Sequence, residues 1–256
     1  MNLLETKDLT ISFGGLTAVA NVNLNLKKGE LAGLIGPNGA GKTTIFNLLT
    51  GVYRPTSGDI RFENKSIVGL KPYQITQRAI ARTFQNIRLF NELSVLDNIR
   101  IAYHWHSNYS VLSSILRLGA FHKGEKEIRK RSEKLLEIFN LSRYRDEKAC
   151  NLPYGEQRRL EIARALAAKP KLLLLDEPAA GMNPQETRDL MDLINWVRQE
   201  FNLTILLIEH DMTLVMGICE HIYVLDYGQV IAEGKPEDIR NNERVIEAYL
   251  GRGGER

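Results

Sequence analysis

Nine consecutive residues, Gly36-Pro37-Asn38-Gly39-Ala40-Gly41-Lys42-Thr43-Thr44, restrict the folds open to this chain more than anything else in it. They fit the spacing G-x-x-x-x-G-K-[ST], with the apolar run Leu31–Ile35 before them and a helical run, Thr44–Leu49, after. The spacing has a physical basis. Glycines let the backbone curl so that successive N–H groups converge on phosphate oxygens, where side chains would block the approach. Lys42 can then reach the β- and γ-phosphates as a mobile point charge, and the Thr43 hydroxyl can ligate Mg²⁺. The helix that follows adds its positive end to the same anion. Strand, glycine loop and helix in this order predict a nucleotide-binding α/β core.

A second feature answers the first. Leu172-Leu173-Leu174-Leu175 is continuous rather than alternating, as a strand buried on both faces is. It ends in two adjacent carboxylates, Asp176 and Glu177, at the strand edge where α/β proteins bind ligands. Asp176 suits the coordination of Mg²⁺, and Glu177 suits a base that polarises an attacking water. Another buried run, Leu203–Ile208, is followed closely by His210, which is thereby expected at the same edge. Gln85 follows the short extended run Ala81–Phe84. An amide there can ligate Mg²⁺ or water, although most glutamines are simply solvated.

The rest of the chain supplies the frame. Leu9–Phe13 and Val22–Leu26 alternate with period two, like half-buried strands of an antiparallel sheet. Asp59–Phe62 reads as another strand, and Pro72–Ile80 as a helix with proline in its first turn. From Ser94 to Ala168 the strand signals stop, and Glu125–Asn140 and Gly155–Ala168 carry apolar residues at helical intervals. Asn183-Pro184-Gln185-Glu186 then reads as N-cap, first-turn proline and N3 glutamate of a further helix. His221–Leu225 and Gln229–Ala232 form a hairpin around Tyr227-Gly228, and Pro236–Leu250 is helical. The expected organisation is one domain, 1–256. Within it, 1–93 and 169–235 make the α/β core and its antiparallel β layer, 94–168 an α-helical subdomain, and 236–256 a helical tail.

Composition excludes more than it suggests. Thirty-four basic against thirty-one acidic residues gives a net charge of +3, too small to require a nucleic acid. Cys150 and Cys219 have neither metal-site nor disulfide-framework spacing, which fits a reducing compartment. Met1–Glu5 lacks the character of a signal peptide, and no run approaches the roughly 18 apolar residues of a membrane span. Work at a membrane would therefore proceed from the cytoplasmic face through partners. His104-Trp105-His106 has no third ligand in view and reads as a surface turn. Val111, Leu112, Ile115, Leu116 and Leu118 read as packing inside the helical subdomain.

Together these motifs resemble the ATP-binding subunit of an ABC transporter, along essentially the whole chain. The resemblance implies the ABC ATPase fold, a P-loop NTPase core with an antiparallel β subdomain and an α-helical subdomain. It also implies ATP hydrolysis, with ATP and Mg²⁺ as cofactors. Gly36–Thr44 is then the Walker A loop, Gln85 the Q-loop glutamine, Leu172–Glu177 the Walker B strand with its catalytic glutamate, and His210 the switch histidine. Thr43, Gln85 and Asp176 are the residues assigned to Mg²⁺. Ala180-Gly181-Met182-Asn183 lies at the D-loop, with Asn183 replacing the usual aspartate. Phe13 matches the aromatic that stacks on adenine, without the hydroxyl often found there. The signature, Leu-Ser-Gly-Gly-Gln in the family, corresponds to Leu152-Pro153-Tyr154-Gly155-Glu156, followed by Gln157. Only Leu152 and Gly155 match.

Within that family the chain is most similar to the larger ATPase subunit of branched-chain amino-acid importers, through Phe13–Val19, Arg82–Phe90, Tyr154–Arg164 and Glu177–Pro184. This implies import of branched-chain or related amino acids through two membrane permease subunits, fed by an extracytoplasmic solute-binding protein. The ATPase would sit peripherally on the cytoplasmic face of the inner membrane, with no nucleic-acid partner. The altered signature favours pairing with a second, different ATPase subunit over a homodimer. Two other readings stay open at this point. One is an ABC ATPase for another cargo, such as lipid or polysaccharide. The other is a soluble ABC ATPase acting on DNA or the ribosome, although its long coiled coils or second cassette are not visible here.

Overall fold

The computed structural model describes residues 1–104 and 119–250. The His104-Trp105-His106 side chains and the apolar face from Val111 to Leu118 lie outside the described residues. The chain forms two compact units, Met1–Gln85 with Lys171–Arg256, and Asn86–Pro170.

In the first unit, β1 (Asn2–Phe13) is far longer than its alternating end suggests. It pairs antiparallel with β2 (Leu16–Val22), β3 (Asn25–Lys27) and β5 (Ser57–Phe62), and the two-residue β6 (Lys65–Ser66) closes the edge. The expected strand Val22–Leu26 is not one strand. The chain breaks between β2 and β3, where Leu24 exchanges hydrogen bonds with Thr6 and Asn23 accepts the Asp8 N–H. The second sheet runs, strand by strand across it, β11 (Gln229–Gly234), β10 (His221–Asp226), β4 (Leu31–Ile35), β9 (Thr204–Ile208), β8 (Leu172–Asp176) and β7 (Ile80–Arg82). All pairs are parallel except the β10–β11 hairpin. Strands β4, β8 and β9 are buried at all five positions, as their unbroken apolar runs require.

Helix α1 (Lys42–Leu49) lies between the sheets. Its Ile45, Phe46 and Leu49 join Leu4, Leu9 and Leu24 of one layer and Leu172, Leu206 and Ile208 of the other in a single core cluster. The helix after it, α2 (Pro72–Gln77), stops short of the expected Ile80, which opens β7. Ala79, with φ of 66°, reverses the chain between them.

The second unit is helical: α3 (Val95–His104), α4 (Gly119–Ile138), α5 (Tyr154–Ala167) and two short 3₁₀ turns. Leu160, Ala163 and Ala167 form the buried face of α5. The unit begins at Asn86 and ends at Pro170, not at 94 and 168 as the sequence suggested. The reason is visible in the backbone. Phe90 exchanges hydrogen bonds with the Asn98 side chain, Ala149 and Cys150 donate to Leu93 and Asn91, and Arg88 N–H donates to Glu161.

The chain then returns to the first unit. Helix α6 (Pro184–Glu200) opens with the expected capping box: Asn183 accepts the Gln185 and Glu186 N–H groups, and Glu186 accepts that of Asn183. Helix α7 (Met212–Ile218), which no sequence signal marked, is capped by Asp211. The tail is two helices, α8 (Pro236–Arg240) and α9 (Glu243–Leu250). Cys150 and Cys219 are both free, and burial pushes the Cys219 thiol up to about 12.

Candidate functional site

The loop between β4 and α1 exposes Asn38, Gly39 and Thr43 and half-buries Pro37 and Thr44, while Gly36, Ala40 and Lys42 are buried. Its glycines are needed for reasons the sequence alone did not display. A β-carbon on Gly36, where φ is 148°, would lie 2.0 Å from the Leu225 carbonyl oxygen. One on Gly41, with φ of 104°, would lie 2.8 Å from the Ala18 carbonyl. The loop is curled against β10 and β2 from behind, and Gly39, with φ of 82°, faces open space. The cradle is therefore pre-formed by packing.

Lys42 Nζ donates to the carbonyls of Gly36 (2.7 Å) and Pro37 (2.9 Å). Burial pushes its pKa down, and the charges of Glu177 and Asp176 pull against that shift. The ammonium thus stands between a backbone loop and two carboxylates, a place where polyphosphate would meet it directly.

Three predicted residues from three different strands meet at one carboxylate. Glu177 follows β8, Gln85 lies just beyond β7 and His210 just beyond β9, so the parallel order β9-β8-β7 delivers all three to the carboxyl edge. Gln85 Nε2 donates to Glu177 Oε2 at 2.6 Å, and His210 Nε2 lies 2.8 Å from Oε1. The Glu177 backbone is left-handed, φ 46°, and its N–H is tied to the Ile208 carbonyl at 2.8 Å. Such a conformation costs a non-glycine residue about 1–3 kcal/mol and persists only where its surroundings enforce it. The two neighbours occupy both oxygens and leave an oriented base.

Asp176 is buried, and its Oδ2 accepts from Arg82 Nη2 at 2.6 Å. Among the described residues, Arg82 is the hydrogen-bond donor to its carboxylate. With the Thr43 hydroxyl, that carboxylate makes a set of hard oxygen donors beside the phosphate loop. No motif assigns Arg82 a role of its own. Its guanidinium also donates to Asn47 at 2.7 Å and lies over the Phe46 and Phe84 rings at 5.4 and 5.1 Å. The sequence shows it only as a cation ending a short extended run, because its carboxylate partner lies 94 residues further along the chain. We predict that Arg82→Met leaves Asp176 buried without its counter-charge and destabilises the protein by about 3–5 kcal/mol. Chemical denaturation measures this, and a loss below about 1 kcal/mol would assign the pair no structural weight.

The remaining predicted residues fall as follows. Phe13 ends β1, is 46% exposed and meets Tyr53 edge-to-face at 5.2 Å. Ala180–Asn183 forms the turn from β8 to α6, with Gly181 at φ 79° and the Asn183 side chain spent on the helix cap. Leu152–Gln157 belongs to the second unit. Pro153 precedes the first turn of α5, Gln157 donates to the Leu152 carbonyl at 2.8 Å, and Tyr154 lies 6.0 Å from the Arg158 guanidinium.

A protein-family model described as ABC transporter matches residues 19–180 of this chain. The chain belongs to that family. A second model, described as branched-chain amino acid ATP-binding cassette transporter, matches residues 229–255 of the cassette. The cassette is 49% identical to the high-affinity branched-chain amino acid transport ATP-binding protein BraF of Pseudomonas aeruginosa, over 97% of this chain and 98% of the relative. It has the same identity and coverage with LivG of Escherichia coli. Among solved structures, the ADP conformation of MJ1267, an ATP-binding cassette of an ABC transporter, superposes with a TM-score of 0.85 at 33% identity, covering 98% and 99% of the two chains. The fold is that of the ABC ATPases, and the cassette is an ATPase that binds ATP. Among the described residues, no helix is long and apolar enough to cross a membrane.

Proposed function

We propose that this cassette powers import of branched-chain or related amino acids, driving two separate permease subunits from the cytoplasmic face of the inner membrane. An extracytoplasmic solute-binding protein would deliver the cargo to those permeases. The contact of Gln85 and His210 with the two oxygens of Glu177 carries the catalytic part of this reading. The cargo is supported by the names of relatives that match nearly end to end. In this reading the loop amides from Gly36 to Thr44 and the Lys42 ammonium hold the triphosphate. Glu177 accepts the proton of a water attacking the γ-phosphorus, and ADP leaves with inorganic phosphate as the second product. His210 and Gln85 keep the carboxylate turned toward that water. Mg²⁺ would be held by the Thr43 hydroxyl and Asp176, with Gln85 adding its amide oxygen, and would neutralise charge on the phosphates.

The transport reading is tested on the complex recovered from native membranes. The cassette should bring down two permeases, and its hydrolysis should rise when leucine-loaded binding protein is added. A complex that responds to a different solute class, and not to leucine, isoleucine or valine, overturns the cargo.

The exposed ring of Phe13, braced by Tyr53, is the adenine platform in this proposal. Base–aromatic stacking is worth about 1–3 kcal/mol, so Phe13→Ala should weaken ATP roughly ten-fold or more. Phe13→Tyr should bind normally, and GTP should be accepted less well. Nucleotide titration of the two variants decides the point, and unchanged affinity in the alanine variant moves the base elsewhere.

Pairing follows from the signature. In the ABC arrangement that segment of one subunit meets the γ-phosphate held by another. Pro153 offers neither hydroxyl nor amide hydrogen, and Tyr154 sets a ring, 45% exposed, where glycine allows closer approach. The working unit is therefore proposed to combine this chain with a second ATPase bearing a fuller signature. Purified Glu177→Gln protein, which cannot reset by hydrolysis, should stay monomeric with ATP at micromolar concentration. A tight ATP-dependent homodimer contradicts the proposal.

A further inference from the structure

The loops that follow β8 and β9 are joined by a carboxylate whose role none of the motifs explains. Glu209 lies between the end of β9 and His210 and is 3% exposed. Its Oε1 accepts the Ala179 N–H at 2.6 Å. Its Oε2 accepts the His210 N–H at 3.0 Å and that of Asp211 at 3.4 Å. Among the described residues no salt bridge reaches it; backbone amides are its hydrogen-bond donors, and burial together with the nearby charge of Glu177 still holds its carboxyl above the usual range. An anion held by several N–H groups in a dry setting is a strong and directional tie. A carboxylate left buried without them would be costly, so the geometry of both loops is coupled to this one side chain.

The two ends of the tie are telling. Ala179 immediately precedes the turn Ala180–Asn183, and Ala180 N–H in turn reaches the Glu177 carbonyl at 3.2 Å. On the other side, the His210 imidazole reaches Glu177 Oε1 at 2.8 Å, and Asp211 caps α7 through Thr213 and Leu214. A shift of the turn after β8 would therefore be felt at the backbone that carries the histidine. We infer that Glu209 is a positioning residue that aims His210 at Glu177 and couples its setting to the turn Ala180–Asn183. This rests on the proposed hydrolytic role of Glu177 and His210. Glu209 itself touches neither nucleotide nor water in that scheme; it acts through the histidine.

Glutamine at this position is nearly isosteric, but its NH₂ group must face either the Ala179 N–H or the two N–H groups of the histidine loop. The test is a cycle of Glu209→Gln, His210→Ala and the double variant, in the assembled transporter, with ATP affinity and kcat measured separately. Glu209→Gln should lower kcat ten- to a hundred-fold, with ATP affinity held within two-fold. In the His210→Ala background the same change should lower kcat less than two-fold, because its only route of action is gone. Equal losses in both backgrounds, or a parallel loss of ATP affinity, would overturn the inference in favour of a general structural role. A readout independent of turnover is the NMR signal of the His210 imidazole in the full chain without nucleotide. It should move in Glu209→Gln, and an unmoved signal also overturns the inference. If the glutamine variant does not fold, Glu209→Asp serves in the same cycle, keeping the charge but one methylene too short to reach both loops. A wild-type-like rate in Glu177→Gln would instead remove the hydrolytic reading, while the imidazole shift would still report on the tie.

Discussion

Glu177→Gln is expected to lower kcat of the assembled transporter by about 10²–10⁴-fold, the usual worth of a positioned general base, while ATP affinity stays within a few-fold. The amide is nearly isosteric and keeps an oxygen, so Gln85 can still donate to the side chain, but it cannot take a proton from water. The contacts that fix the carboxylate at 2.6 and 2.8 Å are also the reason the loss should be large. A base held from both sides contributes through orientation as well as basicity. The measurement is steady-state phosphate release alongside nucleotide titration. Turnover at the wild-type rate would remove Glu177 from the role assigned to it.

Lys42→Ala should act on the other half of the cycle and weaken ATP binding a hundred-fold or more, about 3 kcal/mol. Lys42 is buried, and its ammonium already donates to the Gly36 and Pro37 carbonyls, so the phosphates meet a cation that has given up part of its water. It is also a positive charge set between the incoming phosphates and the carboxylates of Asp176 and Glu177. Without it the polyphosphate meets uncompensated negative charge. Calorimetric titration distinguishes this variant from Glu177→Gln, which should retain ATP. Affinity within two-fold of wild type would mean that the lysine serves the loop and not the ligand.

How far these residues could be read in advance depended on the range of the forces that place them. The runs Leu31–Ile35, Leu172–Leu175 and Leu203–Ile208 announced buried parallel strands because burial on both faces leaves no room for alternation. The cap at Asn183 was equally plain, since its hydrogen bonds span only three residues. Glu177 and His210 were legible as residues lying just past apolar strands. What could not be read was their partnering. That Gln85 and His210 take separate oxygens of one carboxylate depends on the sheet order, which no local pattern encodes. Arg82 and Glu209 are illegible for the same reason: each is a charge whose purpose appears only when a segment distant in sequence supplies a partner. The break between β2 and β3 was hidden because polar–apolar alternation continued across it.

The sheet order also sets a timetable for synthesis. Strand β4 ends at Ile35, but its two neighbours begin at Thr204 and His221. At ribosomal speeds of about 5–20 residues per second, the nascent chain carries this five-residue apolar strand without edge partners for roughly ten to thirty seconds. During that wait the antiparallel sheet and α1 can shield it from one side only. The strand that presents the phosphate loop is thus among the first segments made and among the last to be enclosed. Newly made chains should therefore depend on chaperone occupancy until the codons for β10 have been translated, and truncations ending within the helical unit should aggregate instead of leaving a stable half-cassette.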